Sequence, residues 1–427
     1  MTGDDNCGAP RQTPAPAGRP ATAMNIRNVH PFPARMAPEL ALSSLADLPA
    51  NSLVLDPMSG SGTVLRQAIA LGHRAIGFDM DPLAVLMSRV WTSSVDSEVI
   101  ESELRSVVEE AEGVDLRSNV LPWQDQETKE FVRFWFDDPQ RRALARLAAV
   151  LHRRRTSRLG EVRHASVEVL QIALSRIIVT KEQGASLARD TSHSRPHRVA
   201  EASSYDVTAG FVRSAEQLGR RLVDHTTSPS RVAQVELGDA RAMPLADRSV
   251  DAIMTSPPYL NAIDYMRGHR MSLVWLGYSL KQLRAIRSTT IGAERKADVG
   301  TAAEAKSITD AMCDLADLEP RQRGMVERYA ADLRQMMAQS ARVLKTTGRA
   351  TYVVGNSCLK DAFIRNSDGV ARAGELAGLT LVGSRERELP AGSRYLPMTA
   401  QGSLSKRMRT ETVLTFQLAK NCSTLAA

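Results

Sequence analysis

The sequence is poor in cysteine, in aromatic residues and in long apolar runs, and each shortage removes a class of protein. Four cysteines stand in 427 residues, Cys7, Cys313, Cys358 and Cys422, with no C-x-x-C pair. That excludes a disulfide framework and a cysteine zinc site, and it fits a reducing compartment. No run of about 18 uninterrupted apolar residues is present to cross a bilayer, so no membrane role is expected. Met1 to Ala23 is rich in Pro, Ala, Gly and Thr and lacks the apolar stretch of a secretory signal. It reads as a disordered tail on a cytoplasmic protein. His193 and His197 have i, i+4 spacing, but Arg195-Pro196 between them breaks a helical face, so no metal is expected. Aromatics make up only 4% of the chain, yet five of them gather at Trp123, Phe131, Phe134, Trp135 and Phe136.

What is present is ordinary in bulk: 43% hydrophobic and 24% charged residues, enough for a large soluble core. The length suits roughly two domains, or one domain carrying large insertions. Net charge is +7, with a pI near 9.4. Its distribution is uneven. Between Arg141 and Ala200 there are 13 Lys/Arg against four Asp/Glu, so this segment alone carries more than the whole excess. Such a run is either a solvated helix face or a phosphate-binding surface.

Patterning divides the chain. A short helix follows Pro38 and runs to about Leu48. Ser52 to Asp56 is an apolar strand ending in an acid, followed by Pro57-Met58-Ser59-Gly60-Ser61-Gly62-Thr63 and a helix over Val64 to Leu71. Ala75 to Asp79 and a helix over Pro82 to Trp91 repeat the unit, which predicts a parallel βαβα beginning. Residues 94–229 are helix-like. Strands resume at Val232 to Asp239 and Val250 to Thr255. A helix over Met325 to Leu344 and strands at Arg349 to Val354, Leu379 to Ser384 and Thr412 to Phe416 complete the pattern. The expected organisation is therefore a tail (1–23), a catalytic domain (24–94 with 230–420), a helical basic insertion (95–229) and a second variable insertion (280–323).

In open α/β sheets, ligands bind at the carboxyl ends of the strands, so the residues there are read together. They are Asp56 with the Gly60/Gly62 turn, Asp79, Asp239 and Ser256-Pro257-Pro258-Tyr259. The turn lacks the six-position G-x-G-x-x-G spacing and the Lys-Ser/Thr of a phosphate loop. Asp79 follows Asp56 by the interval at which an acid reaches a ribose diol. Taken alone, these residues serve equally well as packing glycines and helix caps.

Joined to Thr255-Ser256-Pro257-Pro258-Tyr259, the set resembles the S-adenosylmethionine-dependent amino-methyltransferases that act on exocyclic amines of DNA bases. That family carries D/N/S-P-P-Y/F/W, and the Ser form resembles its cytosine-N4 members. An exocyclic amine is a poor nucleophile because its lone pair is delocalised into the ring. Oxygens from Ser256 and the Pro257 carbonyl, accepting its two N–H bonds, would free that lone pair and stabilise the developing positive charge. Pro257 and Pro258 fix the backbone, and Tyr259 offers a face to a flipped base.

The resemblance extends to His30-Pro31-Phe32-Pro33 and to Asp56-Pro57-Met58-Ser59-Gly60-Ser61-Gly62-Thr63, similar to the family's D-P-F-x-G-S-G-T. It implies a doubly wound, mostly parallel seven-stranded sheet with a large helical insertion, and S-adenosylmethionine as cofactor. The implied cofactor residues are His30, Pro31, Asp56, Pro57, Ser59, Gly60, Gly62, Thr63, Asp79 on the ribose, and Asp239 with Ala240 at the adenine. It further implies DNA as partner, with a cognate restriction endonuclease as a possible companion. In this chain the cofactor motif precedes the Ser-Pro-Pro-Tyr motif, the reverse of many cytosine-N4 enzymes.

Asn261, Asp264 and Tyr265 follow the motif closely and are candidate base-pocket residues; Trp275 and Tyr278 have the helical spacing of core residues with Met271. Arg153, Arg154, Arg155, Arg195 and Arg198 are the candidate phosphate contacts of the basic segment. The insertion leaves the sheet on the side away from the cofactor and must wrap around to meet DNA; segment 280–323 is its rival for target recognition. Cytosine-C5 chemistry needs a cysteine after a proline, which none of the four is. The alternatives are adenine-N6 methylation of DNA, guanine-N2 methylation of RNA, and a catalytically dead nucleic-acid-binding protein.

Overall fold

The computed structural model describes residues 28–32, 36–117, 121–157, 160–189, 196–223, 233–260, 264–292, 302–359, 362–389 and 410–419. The tail, His193, Arg195 and Asn261 lie outside them. After α1 (Pro38–Leu45), the first half-unit is β1 (Leu53–Asp56), α2 (Thr63–Ala70), β2 (Arg74–Asp79) and α3 (Pro82–Thr92). The insertion follows as α4 (Ser97–Glu112), α5 (Gln126–Trp135), α6 (Asp138–Thr156), α7 (Glu161–Arg176), a small hairpin of β3 (Ala188–Arg189) and β4 (His197–Arg198), and α8 (Val207–Val223). The chain returns through β5 (Gln234–Leu237), β6 (Val250–Thr255), α9 (Tyr265–Leu273), α10 (Leu280–Thr289) and α11 (Ala302–Met312). It ends with α12 (Pro320–Val343), β7 (Leu344–Gly355), a hairpin of β8 (Ser357–Leu359) and β9 (Ala362–Ile364), α13 (Asn366–Leu376), β10 (Leu379–Glu388) and β11 (Thr410–Leu418).

The expected doubly wound, mostly parallel seven-stranded sheet is the one observed, in the order β10-β11-β7-β6-β1-β2-β5. β5, β2, β1, β6 and β7 pair in parallel, and β11 lies antiparallel between β7 and β10. Alternation along β1 sets the layers. Val54 faces the core of α1 and α2, while Leu55 faces the core built by α12 and α13. From β1 the chain steps outward to β2 and β5, then returns to place β6 against the other side of β1. The switch point therefore lies between β1 and β6, where Asp56 ends one strand and Ser256 follows the other.

Helix α12 starts five residues before the apolar periodicity does. Pro320 occupies its first turn and the Gln322 side chain accepts the Glu319 N–H at 3.0 Å, so an N-terminal signal extends it past the first buried residue.

The insertion does not stand apart. Its buried residues form one core with Leu83, Met87 and Trp91 of α3 and with Met271, Val274 and Trp275 in and after α9. Trp275 is core, as its spacing indicates, though it lies just beyond α9; its ring meets the Phe136 and Trp123 rings edge-on. The Trp123 indole N–H donates to the Val274 carbonyl at 2.6 Å. Helix α7 of the insertion packs on both α3 and α9.

Candidate active site

The turn after β1 is shaped by two glycines. Gly62 sits at φ +89° as the residue before α2, and a Cβ there would fall 2.9 Å from the Ser88 hydroxyl of α3. Gly60 has φ +50°, and its missing Cβ would lie 3.4 Å from the Phe32 ring. Both positions combine left-handed backbone with close approach, a demand that glycine alone meets without strain. Ser88 Oγ donates to the Gly60 carbonyl at 3.0 Å, and Ser59 N–H donates to Phe78 O at 2.8 Å, tying the turn to α3 and β2. Pro57 and Ser59 are buried in it. The Thr63 hydroxyl opening α2 is buried without a partner among the described residues.

Two acids close this turn. Asp56 is 3% exposed and accepts the Met58 N–H at 3.2 Å. Asp79 accepts the Gly60 N–H at 2.8 Å and the Asp81 N–H at 2.9 Å. Burial, joined by the charge of Asp79, pushes the Asp56 carboxyl up to about 7. Burial and then the charge of Asp81 push Asp79 up to about 6. Among the described residues neither carboxylate forms an ion pair with a Lys or Arg, and the opposing influence on Asp79 is that of His269 beside Asp81.

His30 and Pro31 lie beside α7. The Pro31 carbonyl can only accept, so His30 Nδ1 carries the proton at 2.8 Å and Nε2 accepts from the Ser175 hydroxyl at 2.8 Å. Phe32 stacks on Tyr265 with centroids 4.8 Å apart and an interplanar angle of 12°, while its ring approaches Gly60 of the turn. Asp239 is gripped by Arg241, whose Nη2 and Nε donate to it at 2.7 and 2.9 Å. Ala240 beside it is buried in the sheet core.

The Ser-Pro-Pro-Tyr segment leaves β6 between β1 and β7. Ser256 Oγ donates its proton to the Val353 carbonyl of β7 at 2.9 Å. Its lone pairs are then left as acceptors. Pro257 is buried, and the Pro258 carbonyl accepts the Tyr329 hydroxyl of α12 at 3.0 Å. Tyr259 packs along the edge of the sheet core, and burial pushes its phenol up to about 12. These four residues, Asp56, Asp79 and the glycine turn all gather at the carboxyl end of the sheet.

The arginines of the basic segment divide. Arg154 is a correction to the expected phosphate contact: it donates to Glu103 and Ser106 and, through two nitrogens, to Glu110, with a side chain 16% exposed. Its donors are consumed by α4. Arg153 also pairs with Glu110. Arg155 is exposed, and Arg198 lies over the Phe134 ring, 4.9 Å from its centroid. Asp264, expected as a pocket residue, holds Arg287 at 2.7 Å and Arg267 at 3.7 Å.

Sequence reasoning missed several residues that build the site. Tyr329 reads only as one more apolar position of α12, and nothing in its spacing marks the hydroxyl. Arg241 bridges Asp239, Asp332 and the Thr289 carbonyl; its place two residues after Asp239 was the available signal. Asp81 caps α3 through the Leu83 N–H and also holds His269 Nδ1 at 2.5 Å; a strand-end Asp-Pro is a recognisable cap signal.

No family model matches the chain. Among curated proteins it is 20% identical to the type II methyltransferase M.BsoBI of Geobacillus stearothermophilus over 259 residues. The match spans 56% of this chain and half the length of that enzyme. Among solved structures it is similar to a TehB-like SAM-dependent methyltransferase of Corynebacterium glutamicum at 9% identity, covering 90% of this chain and 89% of that one, TM-score 0.30. It is also similar to the rRNA methyltransferase aviRa of Streptomyces viridochromogenes at 11% identity, covering 90% and 87%, TM-score 0.30. Scores of that size carry nothing about reaction or substrate.

Proposed function

We propose that the chain is an S-adenosylmethionine-dependent methyltransferase acting on the exocyclic amine of a flipped DNA base, cytosine-N4 in the first instance. The observation that carries this reading is the meeting of two motifs at one switch point. A glycine turn closed by two buried acids follows β1, and an acceptor-poised Ser256 with two prolines leaves the adjoining β6. The partial match to a type II DNA methyltransferase supports the same substrate class.

The residues fit the cofactor. The buried Asp56, with no Lys or Arg partner among the described residues, suits its cationic methionine end, Asp79 offers two oxygens to a ribose diol, and the Thr63 hydroxyl, without a partner among the described residues, has a donor and acceptor to give. When bound, the cofactor supplies an electrophilic methyl group. The chain's own part is to present the amine. Ser256 Oγ and the Pro257 carbonyl accept the two N–H bonds, turn the nitrogen out of conjugation and stabilise the charge it acquires. Tyr259 stacks on the extruded base, and Tyr329 holds the Pro258 carbonyl so that the prolines keep their aim.

The test is nucleoside analysis of genomic DNA from cells expressing the protein. 4-Methylcytosine is expected, and its replacement by 6-methyladenine moves the target to adenine. Ser256→Ala is expected to abolish methylation while S-adenosylhomocysteine binding by calorimetry stays within about twofold, since the hydroxyl faces the base rather than the cofactor. Full activity in that variant refutes the role of Ser256.

A further inference from the structure

Two guanidinium groups pair with one carboxylate, Asp264, and a third, Arg270, lies within electrostatic reach of all of them. Arg267 of α9 and Arg287 of α10 both pair with Asp264, with side chains 45% and 51% exposed. Arg270, one turn after Arg267, feels all three: burial lowers its pKa most, Asp264 pulls it back up, and Arg267 and Arg287 add smaller repulsions. Among the described residues, Asp264 is the only carboxylate in ion-pair contact with Arg267 or Arg287. Three cations on one anion leave a surplus of two positive charges, which an intramolecular brace does not require and an anionic partner would compensate.

Position identifies the partner. Tyr265, adjacent to Asp264, stacks on Phe32, which covers Gly60 of the glycine turn. At the far end of α10, the Thr289 carbonyl is held by Arg241, and the missing Cβ of Gly292 would lie 3.7 Å from the Tyr259 carbonyl. The cluster is thus linked on one side, through Tyr265 and Phe32, to the glycine turn of the proposed cofactor site and on the other to the Ser-Pro-Pro-Tyr segment. Away from the site the charge continues along an aromatic ledge. Arg270 lies over Phe131, Phe131 approaches Trp135, Trp135 meets Phe134, and half-exposed Phe134 carries Arg198. Arginine alternating with aromatic faces is the chemistry of a nucleic-acid track.

We propose that Arg267, Arg270 and Arg287 form a clamp for the DNA phosphates flanking the extruded base, with Asp264 as the spacer that holds the guanidiniums in register. The inference rests on the DNA reading above. Fluorescence anisotropy of a labelled mixed-sequence DNA duplex, measured across a salt series, tests it. Each phosphate contact removed lowers the slope of log K against log salt by about 0.9, so Arg267→Gln with Arg287→Gln should lower it by about 1.8. Asp264→Asn removes the counter-charge and should bind the duplex more tightly than wild type, an outcome that misfolding cannot produce. A double variant with wild-type slope and thermal midpoint, or an Asp264→Asn variant that binds no more tightly, overturns the clamp. Wild-type protein that fails to bind the DNA duplex overturns instead the DNA reading beneath it.

Discussion

Replacing Asp56 by Asn should stabilise the ligand-free protein at alkaline pH, although the residue belongs to the proposed cofactor site. The carboxyl is 3% exposed, forms no ion pair with a Lys or Arg among the described residues, and is pushed from its ordinary 3.8 to about 7 by burial and the neighbouring Asp79. Between those values the native state binds a proton that the unfolded chain has lost. Stability therefore falls as pH rises from about 4 to about 7 and stays reduced above. At about 1.4 kcal/mol for each tenfold change, the whole penalty is about 4 kcal/mol. Asn cannot ionise, yet its amide oxygen can still accept the Met58 N–H. With an unfolding entropy of about 2.1 cal/mol/K per residue, close to 0.9 kcal/mol/K for a chain of this length, the midpoint should rise by about 4 °C at pH 8. Below pH 7 the wild-type carboxyl recovers its proton, so the gain should fall to less than about half by pH 5. Differential scanning calorimetry of both proteins at the two pH values decides the matter. An equal gain at pH 5 and pH 8, or a lower midpoint for the variant at pH 8, refutes the reasoning.

Tyr329→Phe keeps the buried ring but strips the Pro258 carbonyl of its donor. It should cost about 1–3 kcal/mol in urea unfolding and lower kcat more than it raises the cofactor Kd; an unchanged kcat would show that the proline loop aims itself. Arg154→Met leaves Glu103, whose side chain is 5% exposed, without its closest cation. A loss of about 3–5 kcal/mol is expected, with the salt dependence of DNA binding unaltered. A flattened salt dependence with unchanged stability would return Arg154 to the phosphate contacts.

Much of the sheet was legible because its strands end in polar residues with fixed jobs. Asp56, Asp79 and Thr255 close β1, β2 and β6, and each boundary fell within a residue or two of where the apolar run stopped. The hairpins β3–β4 and β8–β9 were not legible, since two or three residues carry no periodicity to read. The site was legible where a motif is contiguous and lost where it depends on distant partners, as with Tyr329 and His269. Charge misled for a reason of geometry. The window from Arg141 to Ala200 counts arginines along the chain, whereas α6 folds against α4, whose sequence SEVIESELRSVVEEAE supplies Glu103 and Glu110 to Arg153 and Arg154.

Neutralisation inside the insertion changes where a nucleic-acid surface should be sought. The guanidiniums of Arg153 and Arg154 are committed to α4, whereas Arg198 of the β3–β4 hairpin and Arg270 of α9 lie over the aromatic rings of α5. That juxtaposition exists because the insertion shares a core with α3 and α9 rather than folding as an appended module. Met271 and Trp275, in and just beyond the helix that follows the Ser-Pro-Pro-Tyr segment, are buried against insertion residues, and His30 is held by Ser175 of α7. A large-to-small change at Trp275 would open a void of the kind that costs about 3–5 kcal/mol in a well-packed core, and would loosen the helix after the Ser-Pro-Pro-Tyr segment and the aromatic ledge together. The insertion thus packs against the helix that follows the Ser-Pro-Pro-Tyr segment, and on the proposed function its arginines matter to DNA only where that packing meets the sheet's carboxyl end.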